Sequence, residues 1–406
     1  MRDLGGKPRL LVLASTYPRW ARDVEPGFVH ELSRRLVKEF DVWVLAPHAP
    51  GAARVELLDG VRVHRYRYAP ECLETLVSNG GIAVNLRLAK WKALLIPGFV
   101  LMQSLALWRL HRRHRYGVVH AHWLIPQGLI AAWFRSLGGP PFVVTSHGAD
   151  VFALRGRIFA RLRGFVAGKA AAVGVVSDAL SQRLKREGVS PAHLRNLPMG
   201  VDLAERFVSS TQRADQGHLL FVGRLVEKKG VRQLIKAMPL ILCHKPKAHL
   251  SIVGAGPEAL YLRNLVRSLD LGQCVRFIGA VDNIELPHWY HSAAVVVAPF
   301  VEAISGDQEG LGLVVIEALA CGRPVVVGEV EAASELPRMV PGLHLTNASD
   351  PGDLAASILA VLDDSTIDSP HKIVARTQAA RRWDWQTVSR DYARVLGDAC
   401  PSGHIQ

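Results

Sequence analysis

The sequence predicts an α/β protein made of two doubly wound domains, each built on a parallel sheet. The chain has 406 residues, which is more than one hydrophobic core ordinarily organises. Short apolar runs alternate with helical stretches in both halves, a rhythm typical of strand–helix–strand units. The charge changes sign near residue 200, because residues 1–200 hold 29 Lys and Arg against 13 Asp and Glu, and the remainder holds 20 against 23. We therefore place the boundary between residues 1–200 and 201–384.

Composition excludes several classes of protein. Hydrophobic residues make up 49% of the chain, as in globular proteins. The five cysteines are scattered and lack metal-like spacing, which favours a reducing compartment over a disulfide framework or a structural zinc site. The first residues lack an apolar signal core, so we expect a chain that is not exported. The net charge of +13 predicts an anionic ligand or surface, and the absence of a nucleic-acid motif favours membrane over nucleic acid.

The chain opens as a doubly wound domain. Residues 9–15 form an apolar run typical of a buried parallel strand, and residues 16–27 make a loop that ends at Gly27. Apolar residues then recur at helical spacing from Phe28 to Phe40, and another strand follows at residues 41–46. Ligands of such domains bind beyond the strand ends. Gly27 could therefore face a phosphate, or it could simply make a tight turn into the helix.

Residues 84–116 carry seven basic side chains and no acidic one. Between the basic residues lies an apolar segment, residues 93–108, which contains a proline and a glycine and is shorter than the roughly 20 residues that span a bilayer. Basic flanks with Trp91 and Trp108 at the ends suit a helix that lies in a membrane interface. A buried helix of the first domain with exposed basic ends is the alternative, and the sequence leaves both open.

Two later strands of this half end in histidine-containing motifs. The first ends in His120-Ala121-His122-Trp123, and the second leads into His147-Gly148-Ala149-Asp150. The end of a strand is where an α/β domain presents functional groups, so we expect a functional role for His147. Asp150 is placed to cap the next helix, and His120 and His122 could simply anchor a turn.

The second half places two cations before a helix. A strand at residues 218–222 leads into a loop with Arg224 and Lys229, and a helix begins near Val231. Two cations beside the N–H groups of a helix N-terminus suit a diphosphate. The alternative is an ordinary solvated loop.

Gly254-Ala255-Gly256-Pro257, after the next strand, is half of a dinucleotide-binding motif. It lacks the acidic residue that follows about 20 positions later at a strand end, which argues against a nicotinamide enzyme. Strands at residues 275–278, 295–298 and 325–327 complete the predicted sheet.

Two glutamates, Glu309 and Glu317, bracket seven residues at the start of an apolar helix. Gly310 and Gly312 keep side chains away from whatever Glu309 faces, so a ligand could approach closely. A carboxylate within so apolar a helix is costly unless partners donate to it, and the hydroxyls of a sugar or ribose are such partners. A helix cap at Glu309 and an ion pair at Glu317 are the alternative.

Taken together, these motifs resemble those of the retaining family-4 (group 1) glycosyltransferases. The resemblance rests on residues 221–230, 253–257 and 306–317, while residues 120–123 and 146–150 are similar to the acceptor-domain motifs of that family. It implies a GT-B fold, in which two Rossmann-like domains face each other across a cleft. The second domain would bind a nucleotide-sugar, and a last helix at about 385–406 would cross back to the first.

The resemblance also implies the roles of individual residues. The implied catalytic residues are His147, Glu309, Arg224 and Lys229. The implied donor-binding residues are Gly27, Arg224, Lys229, Gly254, Gly256, Ile278, Glu309, Gly310, Leu311, Gly312, Leu313 and Glu317. Acceptor-side candidates are His122, Trp123 and Asp150. No metal and no cofactor are expected, because the two cations neutralise the diphosphate and the nucleotide-sugar is a substrate.

The function that follows is a retaining, metal-independent transfer of sugar from a UDP- or GDP-sugar to a lipid-linked glycan in surface-polysaccharide assembly. We expect a cytoplasmic protein, peripheral on the inner face of an anionic membrane, with no nucleic-acid partner. A nucleotide-sugar epimerase of the same fold, and a non-catalytic basic protein that binds membrane or nucleic acid, are the alternatives. The nucleotide base, sugar, acceptor, linkage and oligomeric state stay open.

Overall fold

The computed structural model describes residues 6–20, 23, 27–77, 81–210, 214–310, 312–331, 333, 336 and 340–401. The chain divides into two compact units. The first comprises Met1–Met199 and Gln386–Gln406, and the second comprises Gly200–Trp385. These bounds lie one residue from those placed on the sequence, and the ligand of each unit stays a prediction.

The first unit is built on an eight-stranded sheet in the order β3-β4-β2-β1-β5-β6-β7-β8. All neighbouring strands are parallel except the hairpin of β3 and β4, which the sequence did not predict. The strands are β1 (Arg9–Leu13), β2 (Asp41–Pro47), β3 (Val55–Leu58), β4 (Val61–Tyr66), β5 (Val118–His122), β6 (Phe142–Ser146), β7 (Ala172–Val175) and β8 (Leu194–Asn196). The helices are α1 (Phe28–Leu36), α2 (Ile82–Leu88), α3 (Ile96–His114), α4 (Leu129–Ser136), α5 (Ala149–Phe152), α6 (Arg157–Lys169) and α7 (Asp178–Arg186).

The second unit has a six-stranded, fully parallel sheet in the order β11-β10-β9-β12-β13-β14. Its strands are β9 (Asp215–Val222), β10 (His249–Val253), β11 (Val275–Gly279), β12 (Ala293–Ala298), β13 (Val325–Gly328) and β14 (Leu343–Thr346). Its helices are α8 (Val231–His244), α9 (Ala259–Ser268), α10 (Leu286–Ser292), α11 (Leu313–Ala320), α12 (Pro351–Asp363) and α13 (Pro370–Ala380). The last helix of the chain, α14 (Trp385–Ala399), packs with the first unit.

Both sheets contain a point at which the direction of winding reverses. In the first unit, the chain winds outward from β1 to β2 and β4, and then returns to the other side of β1 at β5. In the second unit, it winds from β9 to β10 and β11, and returns at β12. The loops that leave the two central strands at such a point diverge, and the crevice between them is where ligands bind in open α/β sheets.

The central strands are apolar because helices cover both of their faces. Leu219 and Phe221 on β9 and Leu250 and Ile252 on β10 are fully or almost fully buried, together with residues of α8 and α12. This buried frame fixes where the strands end, and hence where their polar loops begin.

The basic segment of the first half is helical for most of its length. A short 3₁₀ helix (Lys90–Leu95) runs into α3, so Lys90–His114 is long and apolar enough to cross a membrane by length and composition. The sequence prediction counted sixteen apolar residues, because it drew the bounds of the segment at the basic residues Lys92 and Arg109. Pro97, which lies inside that segment, is in the first turn of α3, where a helix tolerates proline.

The structure also corrects the alternative of an ordinary buried helix. Only 22% of the most apolar window of Lys90–His114 is buried. The described residues of α3 that are buried are Phe99, Gln103 and Leu107, which form a single face toward the unit. The rest of this helix is partly or fully exposed.

Candidate functional site

Charged side chains of the second unit collect at the point where its sheet reverses. β9 ends at Val222, and its loop carries Arg224 and Lys229. β12 ends at Ala298, and its loop carries Glu309. Because β9 and β12 are neighbours, the structure brings together two motifs that lie some 80 residues apart in the sequence.

Lys229 and Glu309 form an ion pair across these two loops. Lys229 Nζ lies 2.7 Å from Glu309 Oε2, and the side chains are 14% and 16% exposed. Burial alone would raise the pKa of Glu309, but the charges of Lys229 and Lys228 outweigh it and lower the pKa to about 2. Glu309 is therefore an ionised hydrogen-bond acceptor at any physiological pH.

Lys228, which the sequence did not single out, fixes the loop that carries Glu309. Its ammonium donates to Asp307 Oδ1 at 3.2 Å and to the backbone oxygen of Gln308 at 3.0 Å. Its own backbone oxygen accepts from the N–H of Val301. No local sequence signal distinguishes Lys228, because its partners lie more than 70 residues away.

The helix that follows Lys229 begins without a side-chain cap. Gly230 is its N-cap residue and has a left-handed backbone conformation (φ +68°). Partial positive charge at the start of α8 therefore lies next to Lys229, in the loop that also carries the partly exposed Arg224. Such a combination suits a bound anion, as the sequence predicted.

Glu317 accepts a hydrogen bond that the sequence did not reveal. The hydroxyl of Tyr290, which is fully buried on α10, donates to Glu317 Oε2 at 2.6 Å. Burial raises the pKa of Glu317, and Tyr290, Arg206 and Lys229 lower it in part. The sequence predicted a hydroxyl donor from a sugar or ribose, and Tyr290 supplies a hydroxyl donor from within the protein.

Gly254 and Gly256 are glycines because the loops after β9 and β10 touch. Gly254 has φ +134°, and a Cβ atom there would overlap the carbonyl oxygen of Gly223. A Cβ atom at Gly256 would overlap the backbone of Leu225. This contact accounts for both glycines without a ligand, and their role in donor binding stays a prediction.

The other donor-side candidates that the structure describes lie in two places. Ile278 is partly exposed near the end of β11, the outer strand of the second sheet. Gly310 is buried next to Glu309, Gly312 is the left-handed N-cap of α11, and Leu313 is the first residue of that helix. Leu311 lies outside the described residues.

In the first unit, His122, Trp123 and His147 gather at the ends of β5 and β6. His122 Nδ1 and His147 Nε2 share a hydrogen bond at 2.9 Å, and their rings stack at an angle of 12°. The rings of Trp123 and Phe28 lie 5.1 and 4.9 Å from that of His147. Phe28 begins α1 directly after Gly27, so the predicted phosphate-facing loop ends beside this cluster.

The histidines of this cluster are neutral. Burial lowers the pKa of His147 and of His120 to about 3, and burial together with the other two imidazoles lowers the pKa of His122 far below its usual range. His147 can therefore donate or accept a hydrogen bond at pH 7, but it cannot supply a positive charge.

Trp123 and Asp150 are held in special positions. Trp123 has φ +73°, which a bulky residue rarely adopts, and its N–H donates to the backbone oxygen of Thr145 at 2.7 Å. The Asp150 carboxylate is buried and accepts from Ser146 Oγ and from the N–H groups of Leu124 and Gly148. Asp150 thus ties together the loops after β5 and β6, and its acceptor-side role stays a prediction.

Among the residues that the structure describes, no three His, Cys, Asp or Glu side chains come together in a way that could hold a metal ion. Independence from metal ions stays a prediction about the reaction.

Comparison with known proteins places the chain in a family. The model of Glycosyltransferase Family 4 matches residues 28–205, and the model of Glycosyl transferases group 1 matches residues 216–364. A phosphatidyl-myo-inositol mannosyltransferase of Mycobacterium tuberculosis is 31% identical over 274 residues, which cover 65% of this chain and 69% of that protein. The chain belongs to the group 1, family 4 glycosyltransferases.

Other relatives of this glycosyltransferase have different names. A GDP-mannose-dependent monoacylated alpha-(1-6)-phosphatidylinositol monomannoside mannosyltransferase of Corynebacterium glutamicum is 28% identical over 67% of this chain and 74% of its own length. A glycogen synthase of Mycobacterium tuberculosis is also 28% identical, over 95% of this chain and 94% of its own length.

Solved structures confirm the predicted fold of the glycosyltransferase. Sucrose-phosphate synthase from Thermosynechococcus elongatus superposes with a TM-score of 0.79 at 22% identity, over 97% of this chain and 99% of that one. Anabaena HepE, solved with UDP-glucose, superposes with a TM-score of 0.72 at 17% identity, over 96% of this chain and 99% of that one. The fold is GT-B, with two Rossmann-like units on parallel sheets.

Proposed function

We propose that this glycosyltransferase moves a sugar from a UDP- or GDP-sugar to a lipid-linked glycan, with retention at the anomeric carbon and without a metal ion. The observation that carries the proposal is the Lys229–Glu309 pair at the reversal point of the second sheet, beside the start of α8. The mannosyltransferase relative named for GDP-mannose and the HepE structure with UDP-glucose support the donor class.

Arg224 and Lys229 would hold the diphosphate of the donor. Two cations and the N-terminus of α8 oppose the negative charge that accumulates on the phosphate as it leaves. In many phosphate-transfer sites a divalent cation does this work, and here side chains would do it. Gly27 in the first unit would add backbone contact with a phosphate.

Glu309 and Glu317 would bind the transferred sugar and the ribose of the donor, respectively. Glu309 is ionised and would accept hydrogen bonds from hydroxyls of the transferred sugar. These hydrogen bonds would replace part of the stabilisation that Lys229 gives to the carboxylate when Lys229 turns to the phosphate. Glu317 already accepts from Tyr290 through Oε2, so a ribose hydroxyl would donate to Oε1.

The proposed chemistry is attack on the same face from which the phosphate leaves. The bond between the anomeric carbon and the phosphate oxygen breaks, and its electron pair goes to that oxygen. The acceptor oxygen bonds to the anomeric carbon, and its proton passes to the departing phosphate. No protein carboxylate acts as a nucleophile, and His147, being neutral, contributes a hydrogen bond rather than a charge.

The acceptor would be lipid-linked and the protein would work at the inner face of a membrane, in the assembly of surface polysaccharide or glycolipid. The phosphatidylinositol-directed names of two relatives support this class, and so does the excess of basic residues in the first half. Because a glycogen synthase matches a larger share of the chain, acceptor assays should include a soluble glucan.

The test of the site is Glu309→Gln. Loss of an ionised acceptor for a sugar hydroxyl should lower kcat/KM by on the order of a hundredfold, measured as release of UDP or GDP in the presence of acceptor. Glu205→Gln, an exposed glutamate of the same unit, is the matched control and should behave as wild type. Activity of Glu309→Gln within a few-fold of wild type would show that the site is misplaced.

The same preparation tests the rest of the proposal. NMR of the product from an α-linked donor should show an α linkage, and a β linkage would exclude retention. Activity should persist in a chelator, and its loss would exclude metal independence. Conversion of the nucleotide-sugar to its epimer without any acceptor would instead favour an epimerase.

A further inference from the structure

The first unit has an apolar groove on its surface between α3 and α4. The groove has a volume of about 500 Å³, and its walls are formed mainly by Leu107, Trp108, Ile130, Trp133, Phe134 and Leu137. Trp108 and Trp133 are about half exposed, and Leu137 is 85% exposed. Large apolar side chains that share an open groove are unusual at a surface that meets only water.

The exposed side of α3 continues this apolar surface. Pro97, Leu101, Trp108 and Arg112 are all exposed, and their spacing of four, seven and four residues places them on one face of the helix. Arg112 lies over the Trp108 ring at 4.7 Å, so a cation stands at the end of the apolar stripe. This arrangement of hydrocarbon, tryptophan and arginine is typical of a helix in a membrane interface.

The stretch of chain that contains α3 and α4 carries almost only positive charge. Residues 75–177 contain thirteen Lys and Arg, and their only acidic residue is Asp150. Asp150 is buried and bonded within the unit, so it does not offset the positive charge of the surface. Arg109, Arg112 and Arg113 are exposed in the last turns of α3.

We propose that α3 and α4 dock on an anionic phospholipid bilayer, with α3 lying in the interface and one acyl chain entering the groove. The proposal rests on the function proposed above, because a lipid-linked acceptor requires the enzyme to be at a membrane. It adds the surface that binds, the lipid charge that it selects and the side chains that enter the hydrocarbon.

Two other occupants fit the same features less well. In a symmetric dimer through this groove the same patch on each copy would meet itself, so the arginines of α3 would face one another. A helix that spans the bilayer would have to leave the unit, because Phe99, Gln103 and Leu107 face its interior. An anionic membrane interface would cover the apolar groove and neutralise the arginines while α3 keeps its place in the unit.

The first test measures insertion at the groove. The full-length protein is mixed with vesicles of phosphatidylcholine and phosphatidylglycerol whose acyl chains carry bromine, which quenches nearby tryptophans. Wild type should be quenched, and the double variant Trp108→Phe, Trp133→Phe should lose most of the quenching while still sedimenting with the vesicles. Undiminished quenching in that variant would overturn the placement of the groove.

The second test measures affinity. Leu137→Glu should weaken vesicle binding by at least about tenfold, because a leucine side chain is lost from hydrocarbon and a charge is placed there. Leu137 is exposed, so the substitution should leave the melting temperature unchanged. Leu260→Glu is the matched control, since Leu260 is 71% exposed in the second unit, and it should bind as wild type. Equal binding by both variants would overturn the proposal.

The third test concerns charge. The double variant Arg112→Glu, Arg113→Glu should lose the preference for phosphatidylglycerol over phosphatidylcholine, and wild-type binding should weaken as salt is raised. Equal binding of wild type to both lipids would exclude anionic selection. A wild-type dimer that Leu137→Glu dissociates would assign the groove to a second copy.

Failure of the two proposals can be told apart. A wild-type protein that binds vesicles but transfers no sugar would leave the docking surface standing and remove the proposed reaction. Transfer to a lipid-linked acceptor presented in detergent, by a protein that does not bind vesicles, would leave the proposed reaction standing and remove the docking surface.

Discussion

Tyr290 positions one oxygen of Glu317, and this bond lets the role of Glu317 be tested without removing its charge. Tyr290→Phe should raise the KM for the donor by about threefold to tenfold, the usual effect of one hydrogen bond. We expect kcat to change little, because the ribose is remote from the reacting carbon. The Tyr290 hydrogen bond lowers the pKa of Glu317 against the effect of burial, so its loss should raise that pKa further. As the pH is lowered, Glu317 should then be protonated earlier, and donor affinity should begin to fall at a higher pH than in wild type.

The measurement compares inhibition by a nucleoside diphosphate and by its 2′-deoxy form. Wild type should discriminate between them, and the discrimination should shrink in Tyr290→Phe. Tyr261→Phe, on the exposed side of α9, is the control and should keep it. A fall in kcat at unchanged KM would show that Tyr290 acts elsewhere than at the ribose.

At the residue scale, the sequence revealed the groups that carry charge but not those that position them. Glu309 and Lys229 were identified from their place beside glycines and helix starts, and the structure joins them at 2.7 Å. Tyr290 was missed because it acts through a partner 27 residues away in the sequence. Such pairings depend on the order of the strands, which residue type and spacing do not determine.

At the element scale, substitution of two glycines in loops beside the sheets distinguishes a glycine that packing requires from one that a ligand would require. Gly254→Ala should destabilise the second unit by about 2 kcal/mol or more, because the new Cβ overlaps the Gly223 carbonyl and φ is +134°. Gly27→Ala should leave stability unchanged, since φ is −86° and no described atom lies within 4 Å of the new Cβ.

Chemical denaturation and donor binding together distinguish the two variants. The denaturation midpoint should fall for Gly254→Ala and stay constant for Gly27→Ala. If Gly27 meets a phosphate, its alanine variant should bind donor more weakly although it is fully folded. Full donor affinity in that variant would remove Gly27 from the site and leave it as a turn residue.

Elements with a strong periodic pattern were predicted, and those decided by packing were not. The β-branched and leucine-rich runs of β1, β9 and β12 correctly predicted buried strands. The hairpin of β3 and β4 was not predicted, because its residues range from exposed to buried and form no continuous apolar run. The apolar segment predicted at residues 93–108 is shorter than the helical stretch Lys90–His114, because its bounds were drawn at the nearest basic residue on each side.

At the scale of the whole molecule, the strand–helix rhythm and the change of charge indicated two units, and the solved relatives confirm the fold. The order of strands within each sheet was beyond the sequence, because equivalent rhythms allow several windings. Yet that order decides which loops meet. The reversal between β9 and β12 brings Lys229 to Glu309, so the site is a consequence of topology as much as of motif.

The last helix ties the end of the chain to the first unit, although the preceding 186 residues belong to the second. Val388, Tyr392 and Leu396 recur every four residues and are almost wholly buried, and the Tyr392 hydroxyl donates to the Leu197 carbonyl at 2.8 Å. Leu396→Ala should therefore destabilise the first unit by about 2–5 kcal/mol, since it removes a fully buried side chain.

Hydrogen exchange, resolved by peptide, measures this effect for each unit separately. Amides of β5 and β6 in the first unit should exchange faster in Leu396→Ala, and those of β9 and β10 should keep their wild-type rates. Arg394→Ala, at a side chain that is 68% exposed on the same helix, is the control. Faster exchange confined to the second unit would mean that α14 stabilises the domain it leaves rather than the one it joins, and unchanged exchange throughout would mean that it is not needed by either.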